Sequence, residues 1–218
     1  MLVKDCMTRH PILIAPETPA AEAQRIMAEN KIRHLPVAGD GKRLLGLVTR
    51  QQLALKPDML ASLNVWEITR HLATLTVKDV MLKAAEVYTI DPERTVERAA
   101  RILSEHKIGC LPVVEEGIVV GILTEIDLLH AFQQMLGLPT EGVRVTVRMP
   151  NRPGEFARLV SALGKHNLGV MGIGTFPSPR REGFYDAVLK IPRVTPAQVE
   201  AALKEIPEQT IVDIRDVV

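Results

Sequence analysis

GLVTRQQLA at residues 46–54 and GILTEIDLL at residues 121–129 are two versions of one stretch, 75 residues apart. In each version a glycine and two aliphatic residues lead to a threonine, and a leucine follows four residues later. An aliphatic run that ends at a threonine predicts a strand followed by a helix, because threonine favours the position that caps a helix. The versions differ three residues after the threonine, where the first has Gln52 and the second has Asp127.

Two further blocks of sequence repeat at nearly the same spacing. VKDCM at residues 3–7 returns as VKDVM at 77–81, and KIRHLPV at 31–37 returns as KIGCLPV at 107–113. Ordered blocks at one spacing indicate an internal duplication, and small shifts in spacing fit insertions in surface loops. The chain therefore contains two copies of one unit.

Each copy predicts the element order β-α-β-β-α. The runs ILIAP at 12–16 and VYTIDP at 87–92 predict a first strand. A helix follows, and Thr18 is predicted to cap it in the first copy. Its apolar residues in the second copy recur at helical spacing: Val96, Ala99, Ala100 and Leu103. Two apolar strands then flank Asp40-Gly41 in the first copy, a dipeptide typical of a hairpin turn, and the second copy is predicted to turn at Glu115-Glu116-Gly117.

The predicted domains are a first copy at residues 1–56, a linker helix at 57–76, a second copy at 77–136 and a different domain at 142–218. A copy of about 60 residues is too small to bury a large core alone. We therefore expect the copies to stack their sheets about a pseudo-twofold axis, which would create two equivalent clefts at the seam.

The pattern runs from LPV to a glycine, two apolar residues and a threonine, and it ends at a later aspartate and leucine. This doubled pattern resembles a pair of CBS domains, called a Bateman module. The resemblance covers about residues 1–136. It implies a regulatory ligand in a cleft between the copies. The ligands implied are adenine nucleotides: AMP, ADP, ATP or S-adenosylmethionine.

Thr124 and Asp127 are candidate site residues. A threonine near a helix N-terminus offers hydrogen-bond donors to a phosphate, and a carboxylate one turn later can accept both hydroxyls of a ribose. The alternative is helix capping, which the same residues predict. The resemblance implies that Asp127 holds a ribose and that Thr124 approaches a phosphate. The other residues that it implies for this nucleotide-binding cleft are Ile126, His10, Ile12, Arg33 and His34.

The first copy departs from this pattern. Thr49 is present, but Gln52 is neutral and lacks the charge with which a carboxylate receives a diol strongly. The resemblance implies that Tyr88, Gly109 and Cys110 complete this second cleft. We expect it to bind weakly or to stay empty.

Residues 142–218 follow another pattern. Strands are predicted at 143–149, 169–176, 184–192 and 210–217. Helices are predicted after the Pro153-Gly154 turn and from Thr195-Pro196. This β-α-β-β-α-β order predicts a ferredoxin-like fold, in which two helices cover one antiparallel sheet.

The turn before the first of these helices resembles the effector loop of an ACT domain. That resemblance implies a small effector, such as an amino acid, at Asn151, Pro153, Gly154, Glu155 and Phe156. The family usually has an acidic residue where this chain has Asn151, so an amine would lose a charged partner here. The alternative is an ordinary turn between a strand and a helix.

Composition argues against several other classes of protein. The chain has 27 basic and 26 acidic residues, a formal net charge of +1 and 3% aromatic residues. Because the charges balance and aromatic residues are few, we expect no nucleic-acid partner. No apolar run reaches the roughly 18 residues that a membrane helix needs. The chain start becomes charged too early for a signal peptide, so we expect a cytoplasmic protein without a membrane partner.

No enzyme or metal motif emerges from the sequence. The six histidines are scattered without metal-ligand spacing, and no nucleophile, base and orienting group occur together. We expect no catalysis, no metal and no required cofactor. Two CBS copies followed by an ACT domain resemble the acetoin-utilisation B-type family. This implies a homodimeric cytoplasmic regulator linked to acetoin or acetate metabolism. The alternative is a structural adaptor that dimerises and holds a partner enzyme, with vestigial clefts.

Overall fold

The computed structural model describes residues 1–54, 74–138, 140–204 and 206–217. The chain divides into two compact units, Met1–Leu129 and His130–Val218. The predicted linker helix at 57–76 lies outside the described residues, except for its last three positions. Within the described ranges, none of the helices has both the length and the apolar character needed to cross a membrane.

The first unit contains both copies of the repeat, and each copy contributes helices and strands in the same order. The first copy has α1 (Val3–Cys6), β1 (Thr8–Arg9), α2 (Ala20–Glu29), β2 (His34–Ala38), β3 (Leu44–Thr49) and α3 (Arg50–Leu53). The second copy has α4 (Val77–Val80), β4 (Leu82–Lys83), α5 (Val96–His106), β5 (Cys110–Glu115), β6 (Ile118–Thr124) and α6 (Glu125–Met135). The last six residues of α6 belong to the second unit.

The two copies exchange their short N-terminal strands. β1 of the first copy pairs with β6 of the second, and β4 of the second pairs with β3 of the first. The resulting sheets have the orders β1-β6-β5 and β2-β3-β4. Matching backbone bonds accompany the exchange: Val3 N–H donates to the Arg94 carbonyl and Val77 N–H donates to the Thr18 carbonyl, both at 2.8 Å. The copies therefore fold as one unit.

The predicted first strands at 12–16 and 87–92 are wrong. Each forms a single parallel bridge, Ile14 with Val37 and Ile90 with Val113. Proline is the last residue of both runs, at 16 and 92, and proline cannot donate the backbone hydrogen bond that would extend a ladder. The predicted cap at Thr18 is also wrong, because α2 begins at Ala20 after Pro19.

The hairpins of the two copies form where the turn residues predict them. Gly41 has φ +65° between β2 and β3, and Glu116 and Gly117 have φ +51° and +84° between β5 and β6. The inner face of the first hairpin packs on α2. The buried residues of this core include Leu35, Val37, Val48, Ala20, Ala23 and Met27.

The second unit has the predicted β-α-β-β-α-β order. Its elements are β7 (Gly142–Pro150), α7 (Glu155–Lys165), β8 (Gly172–Pro177), β9 (Phe184–Pro192), α8 (Pro196–Leu203) and β10 (Thr210–Val217). The antiparallel sheet has the order β10-β7-β9-β8. Alternate residues of β7, from Val143 to Met149, are buried against Leu159 and Leu163 of α7 and Val199 of α8.

Candidate functional site

The stretch that ends β6 and begins α6 forms a compact hydrogen-bonded turn. Asp127 Oδ2 accepts from the Thr124 backbone N–H at 2.8 Å and from the Thr124 hydroxyl at 2.7 Å. The Asp127 N–H donates back to Thr124 Oγ1 at 3.3 Å. The other carboxylate oxygen, Oδ1, has no hydrogen-bond partner among the described residues. One oxygen therefore caps the helix and the other is left to accept.

The equivalent turn in the first copy has the same shape with an amide. Gln52 Oε1 accepts from the Thr49 N–H at 2.8 Å, and the Gln52 N–H donates to Thr49 Oγ1 at 3.3 Å. The amide has a single oxygen, so its remaining polar group is Nε2, a donor. Equivalent positions thus present opposite hydrogen-bonding groups.

A cavity of about 660 Å³ lies beside the Gln52 turn, and we call it the Gln52 cavity. Residues of both copies line it, including Arg33, His34, Leu47, Thr49, Arg50, Gln52, Glu86, Val87, Tyr88, Lys107, Ile108, Gly109, Cys110 and Glu125. Leu47 and Cys110 also belong to a buried apolar cluster at the seam between the copies, together with Ile122. The cavity therefore has an apolar wall at the seam.

The predicted site residues separate into two groups. The Gln52 cavity brings together all five residues assigned to the second cleft, and it also takes Arg33 and His34, which were assigned to the first. The other five residues of the first cleft do not line it: Thr124, Ile126, Asp127, His10 and Ile12. Of these, His10, Ile12 and Ile126 are exposed. Their place in a nucleotide site stays a prediction.

Asp127 lies near the start of the other copy. Burial is the largest cause that raises the pKa of the Cys6 thiol, and the negative charge of Asp127 raises this pKa further. The pairing of β1 with β6, in which Thr8 lies opposite Ile122, brings these residues near each other. The carboxylate at 127 is thus close to residues of the first copy.

His34 packs against a glycine of the other copy. A Cβ atom at Gly109 would lie 3.2 Å from both Cε1 and Nε2 of the His34 ring, so glycine leaves room for the imidazole. Burial lowers the pKa of His34, the charge of Arg33 lowers it further, and Glu125 opposes both effects. The imidazole is therefore neutral near pH 7 and can accept a hydrogen bond.

The charged residues around the Gln52 cavity include three cations and two anions. Arg33, Arg50 and Lys107 are exposed and, within the described part of the chain, form no ion pair. Glu86 and Glu125 are the acidic residues in the lining. Unpaired cations beside an apolar wall suit a ligand with one anionic end and one apolar end.

Cys110 lies in the wall of the cavity and is 3% exposed. Burial raises the pKa of its thiol to about 12, and Glu125 adds to the rise. A thiol with this pKa stays protonated at neutral pH, so Cys110 acts as a small apolar wall residue.

Sequence reasoning missed an aromatic stack at this site. The ring of Tyr88 lies on the ring of His106, with centroids 3.8 Å apart and planes 18° apart. Tyr88 lines the Gln52 cavity and is 47% exposed. The sequence gave no signal for this contact, because His106, in the last turn of α5, lies 18 positions after Tyr88.

The predicted effector loop of the second unit contains an ion cluster around one buried carboxylate. Glu155 accepts from Arg152 at 2.8 Å, Arg158 at 2.9 Å and Gln209 at 3.0 Å, and it is 3% exposed. The Gln209 hydrogen bond, followed by those from the two arginines, lowers the pKa of Glu155 to about 2. The Glu155 carboxylate therefore already has protein partners and ties α7 to the segment before β10.

A second cavity, of about 410 Å³, opens beside this loop. Its lining includes Asn151, Glu155 and Phe156 of the predicted effector residues, together with Ile173, Thr175 and Tyr185. Pro153 and Gly154 do not line it, and Gly154 has φ +89° at the start of α7. Within the described ranges, no group of three His, Cys, Asp or Glu residues is placed to hold a metal ion.

Comparisons with known proteins extend over the first unit. A family model described as CBS domain matches residues 3–56 and 77–134. Inosine-5'-monophosphate dehydrogenase of Korarchaeum cryptofilum is 36% identical over 123 residues, which are 56% of this chain and 22% of that protein. The chain spans less than half the length of the first curated relatives that it matches.

Two solved structures resemble the same region. A protein named for acetoin utilization (AcuB) from Vibrio cholerae has a TM-score of 0.53 and 31% identity, over 63% of this chain and 94% of that one. CBSX2 of Arabidopsis thaliana in complex with AMP has a TM-score of 0.51 and 29% identity, over 61% of this chain and 96% of that one.

Proposed function

The chain belongs to the CBS-domain family, and from this premise we propose that it is a non-catalytic regulatory protein that binds an adenine nucleotide between its two CBS copies. The observation that carries the proposal is the Gln52 cavity, which residues of both copies line, so the proposed site is the cleft for which the sequence predicts weak or no binding. A ligand in such a cavity contacts both copies at once. Its binding can therefore shift their packing, provided that it binds one arrangement more tightly than the other.

The chemistry of the cavity supports a nucleotide. Apolar walls from Leu47, Val87 and Ile108 suit a base, and the Tyr88 ring offers a face for stacking. Arg33 and Lys107 suit phosphate oxygens, because guanidinium and ammonium groups donate charge-assisted hydrogen bonds. The complex of CBSX2 with AMP, a protein 29% identical to this chain, supports the same class of ligand.

Isothermal titration calorimetry of the full chain with AMP, ADP, ATP and S-adenosylmethionine tests the proposal. We expect saturable binding of at least one of them, weakened about tenfold or more in Arg33→Ala, because a charge-assisted hydrogen bond is lost. Arg101→Ala is the matched control, since Arg101 lies outside the cavity lining and pairs with Glu105 at 3.7 Å. Absence of binding for all four ligands would contradict the proposal and favour a structural adaptor whose clefts are vestigial.

For the second unit, the proposed function is that of an ACT domain that binds a small effector. Its β-α-β-β-α-β order and the cavity beside Asn151 and Phe156 support this proposal. Because Glu155 is engaged by two arginines and Gln209, an effector here would meet Asn151 and the backbone rather than a free carboxylate. Thermal unfolding with and without each of the common amino acids tests it, and an unchanged midpoint with all of them would contradict it.

The chain is further proposed to act as a cytoplasmic homodimer that controls a partner enzyme in acetoin or acetate metabolism. The likeness to the Vibrio cholerae protein supports the pathway, and closed twofold assembly is the commonest oligomer. Native mass spectrometry of the purified chain tests the subunit number and detects any ligand that stays bound. A monomer at micromolar concentration would contradict the dimer.

A further inference from the structure

We infer that the Gln52 cavity recognises its ligand through hydrogen-bond acceptors, chiefly phosphate oxygens, and does not require the ribose diol. This inference rests on the proposed function, because it names which part of a nucleotide the cavity selects. Gln52 is the residue that determines this specificity.

The first support is the orientation of the Gln52 amide. Its only oxygen, Oε1, accepts from the Thr49 N–H at 2.8 Å, which fixes the nitrogen on the other side of the amide. Nε2 has no partner among the described residues. The side chain therefore offers two N–H donors to the cavity, and its acceptor is already engaged.

The second support is the contrast with Asp127. There the single oxygen Oδ2 satisfies both the N–H and the hydroxyl of Thr124, and Oδ1 is left with a full share of negative charge and no described partner. A free carboxylate oxygen accepts hydrogen bonds strongly from hydroxyl groups. Gln52 offers no equivalent group, so a diol gains little at this position.

The third support is the set of donors around Gln52. Arg33, Arg50 and Lys107 line the same cavity and form no ion pair among the described residues. Glu86 and Glu125 also line it, so among the described residues of the lining the cations exceed the anions by one. Cations together with the Gln52 amide favour an oxyanion over a neutral sugar, because hydrogen bonds to charged acceptors are the stronger ones.

The test compares three probes: ATP, 2',3'-dideoxy-ATP and inorganic triphosphate. Both proteins compared carry Asp127→Ala, which removes the free carboxylate from the other copy, and one of them also carries Gln52→Asp. With Gln52 we expect ATP and dideoxy-ATP to bind within about threefold of each other and triphosphate to bind as well. With Asp at 52 we expect ATP to bind about tenfold more tightly than dideoxy-ATP, as one charged hydrogen bond allows.

A matched control separates charge from position. Gln51→Asp adds the same charge one residue earlier and should weaken all three probes without changing the ratio of ATP to dideoxy-ATP. If the Gln52 protein binds ATP at least tenfold more tightly than dideoxy-ATP, the inference is wrong and the proposed function stands. If triphosphate binds and neither nucleotide does, acceptor selection stands and ATP is not the ligand of the Gln52 cavity. If none of the three binds, the inference is wrong, and titration of the wild-type chain with the four ligands decides the proposed function separately.

Discussion

A single oxygen of Asp127, Oδ2, binds both the backbone N–H and the hydroxyl of Thr124, at 2.8 and 2.7 Å. The same carboxylate therefore closes the turn before α6 and keeps its second oxygen available. Capping and ligand binding are not exclusive alternatives at this position, because each uses a different oxygen.

Replacement of Asp127 by alanine should destabilise the protein in the absence of any ligand. The change removes both bonds to Thr124, and loss of a helix cap typically costs about 1 kcal/mol. Asp127→Asn should cost less, because an amide oxygen can still accept from the Thr124 N–H. Urea unfolding measures both changes, and equal stability of Asp127→Ala and the wild type would contradict the capping role.

The exchanged strands predict two sensitive glycines. A Cβ at Gly46 would overlap the Leu82 carbonyl oxygen, and one at Gly121 would lie 2.5 Å from Met7 Sδ and 3.1 Å from the Thr8 carbonyl oxygen. Gly46→Ala and Gly121→Ala should each destabilise the chain by about 1–3 kcal/mol, since the crossing strand must move.

Gly164→Ala is the control for these two variants. Gly164 lies inside α7, and apart from the helix's own nearby backbone no atom of the described residues lies within 4 Å of the place that an added Cβ would take, so alanine should stabilise the helix by about 0.5–1 kcal/mol. Urea unfolding of the three variants checks the pattern. Tolerance of alanine at both 46 and 121 would contradict the strand exchange.

Glu155 predicts a pH-dependent stability of the second unit. Its pKa is lowered to about 2 by Gln209, Arg152 and Arg158, so its contribution is present above the unfolded pKa of about 4.5 and is lost as the pH falls toward 2. Glu155→Gln should lower the midpoint of thermal unfolding by several degrees at pH 7, and the difference from the wild type should shrink below about pH 4.5.

Glu200→Gln is the control for this variant, because Glu200 is exposed and its only described ion pair, with Lys204, spans 3.6 Å. It should change the midpoint little at any pH. A Glu155→Gln deficit that stays constant from pH 7 to about pH 2 would argue against an ionised, internally paired carboxylate.

His34 predicts a pH dependence in the first unit. Burial and Arg33 hold its pKa below the unfolded value of about 6.5. As the pH falls through that value the unfolded chain takes up a proton before the folded chain does, so stability is lost on acidification. The wild type should therefore lose stability between about pH 7 and pH 5 more steeply than His34→Gln. Urea midpoints at several pH values measure how steeply each protein loses stability. His166→Gln, which replaces an exposed histidine, is the control. Equal pH dependence of the wild type and His34→Gln would contradict the prediction.

Much of the fold could be predicted from local sequence. The hairpin signals at Asp40-Gly41 and Gly117 coincide with residues of positive φ. The strand predicted at 143–149 lies within β7, from Gly142 to Pro150, because its apolar residues at 143, 145, 147 and 149 form one buried face. Long elements with a regular apolar pattern can therefore be predicted from the local sequence alone.

The exchange of β1 and β4 could not be predicted in this way. Each has two residues, Thr8–Arg9 and Leu82–Lys83, which is too short to show any periodicity. Their partners lie in the other copy, more than 30 residues away in sequence. The predicted strands at 12–16 and 87–92 failed for the related reason that proline ends each ladder after one bridge.

The sequence names candidate site residues but does not group them by cavity. Thr49, Gln52, Tyr88, Gly109 and Cys110 line one cavity, and their role in binding stays a prediction. Arg33 and His34 line the same cavity, although the resemblance implied that they belong to the other cleft. Side chains near a pseudo-twofold axis can face either of two equivalent clefts, and only packing, such as that of His34 on Gly109, decides between them.

Hydrogen–deuterium exchange of the full chain with and without saturating ATP is the decisive experiment for a nucleotide held between the two copies. We predict slower exchange in the segments at 46–53 and 107–112, which belong to different copies and both contribute to the lining of the Gln52 cavity. Binding of ATP without protection in either segment would contradict a nucleotide at this place.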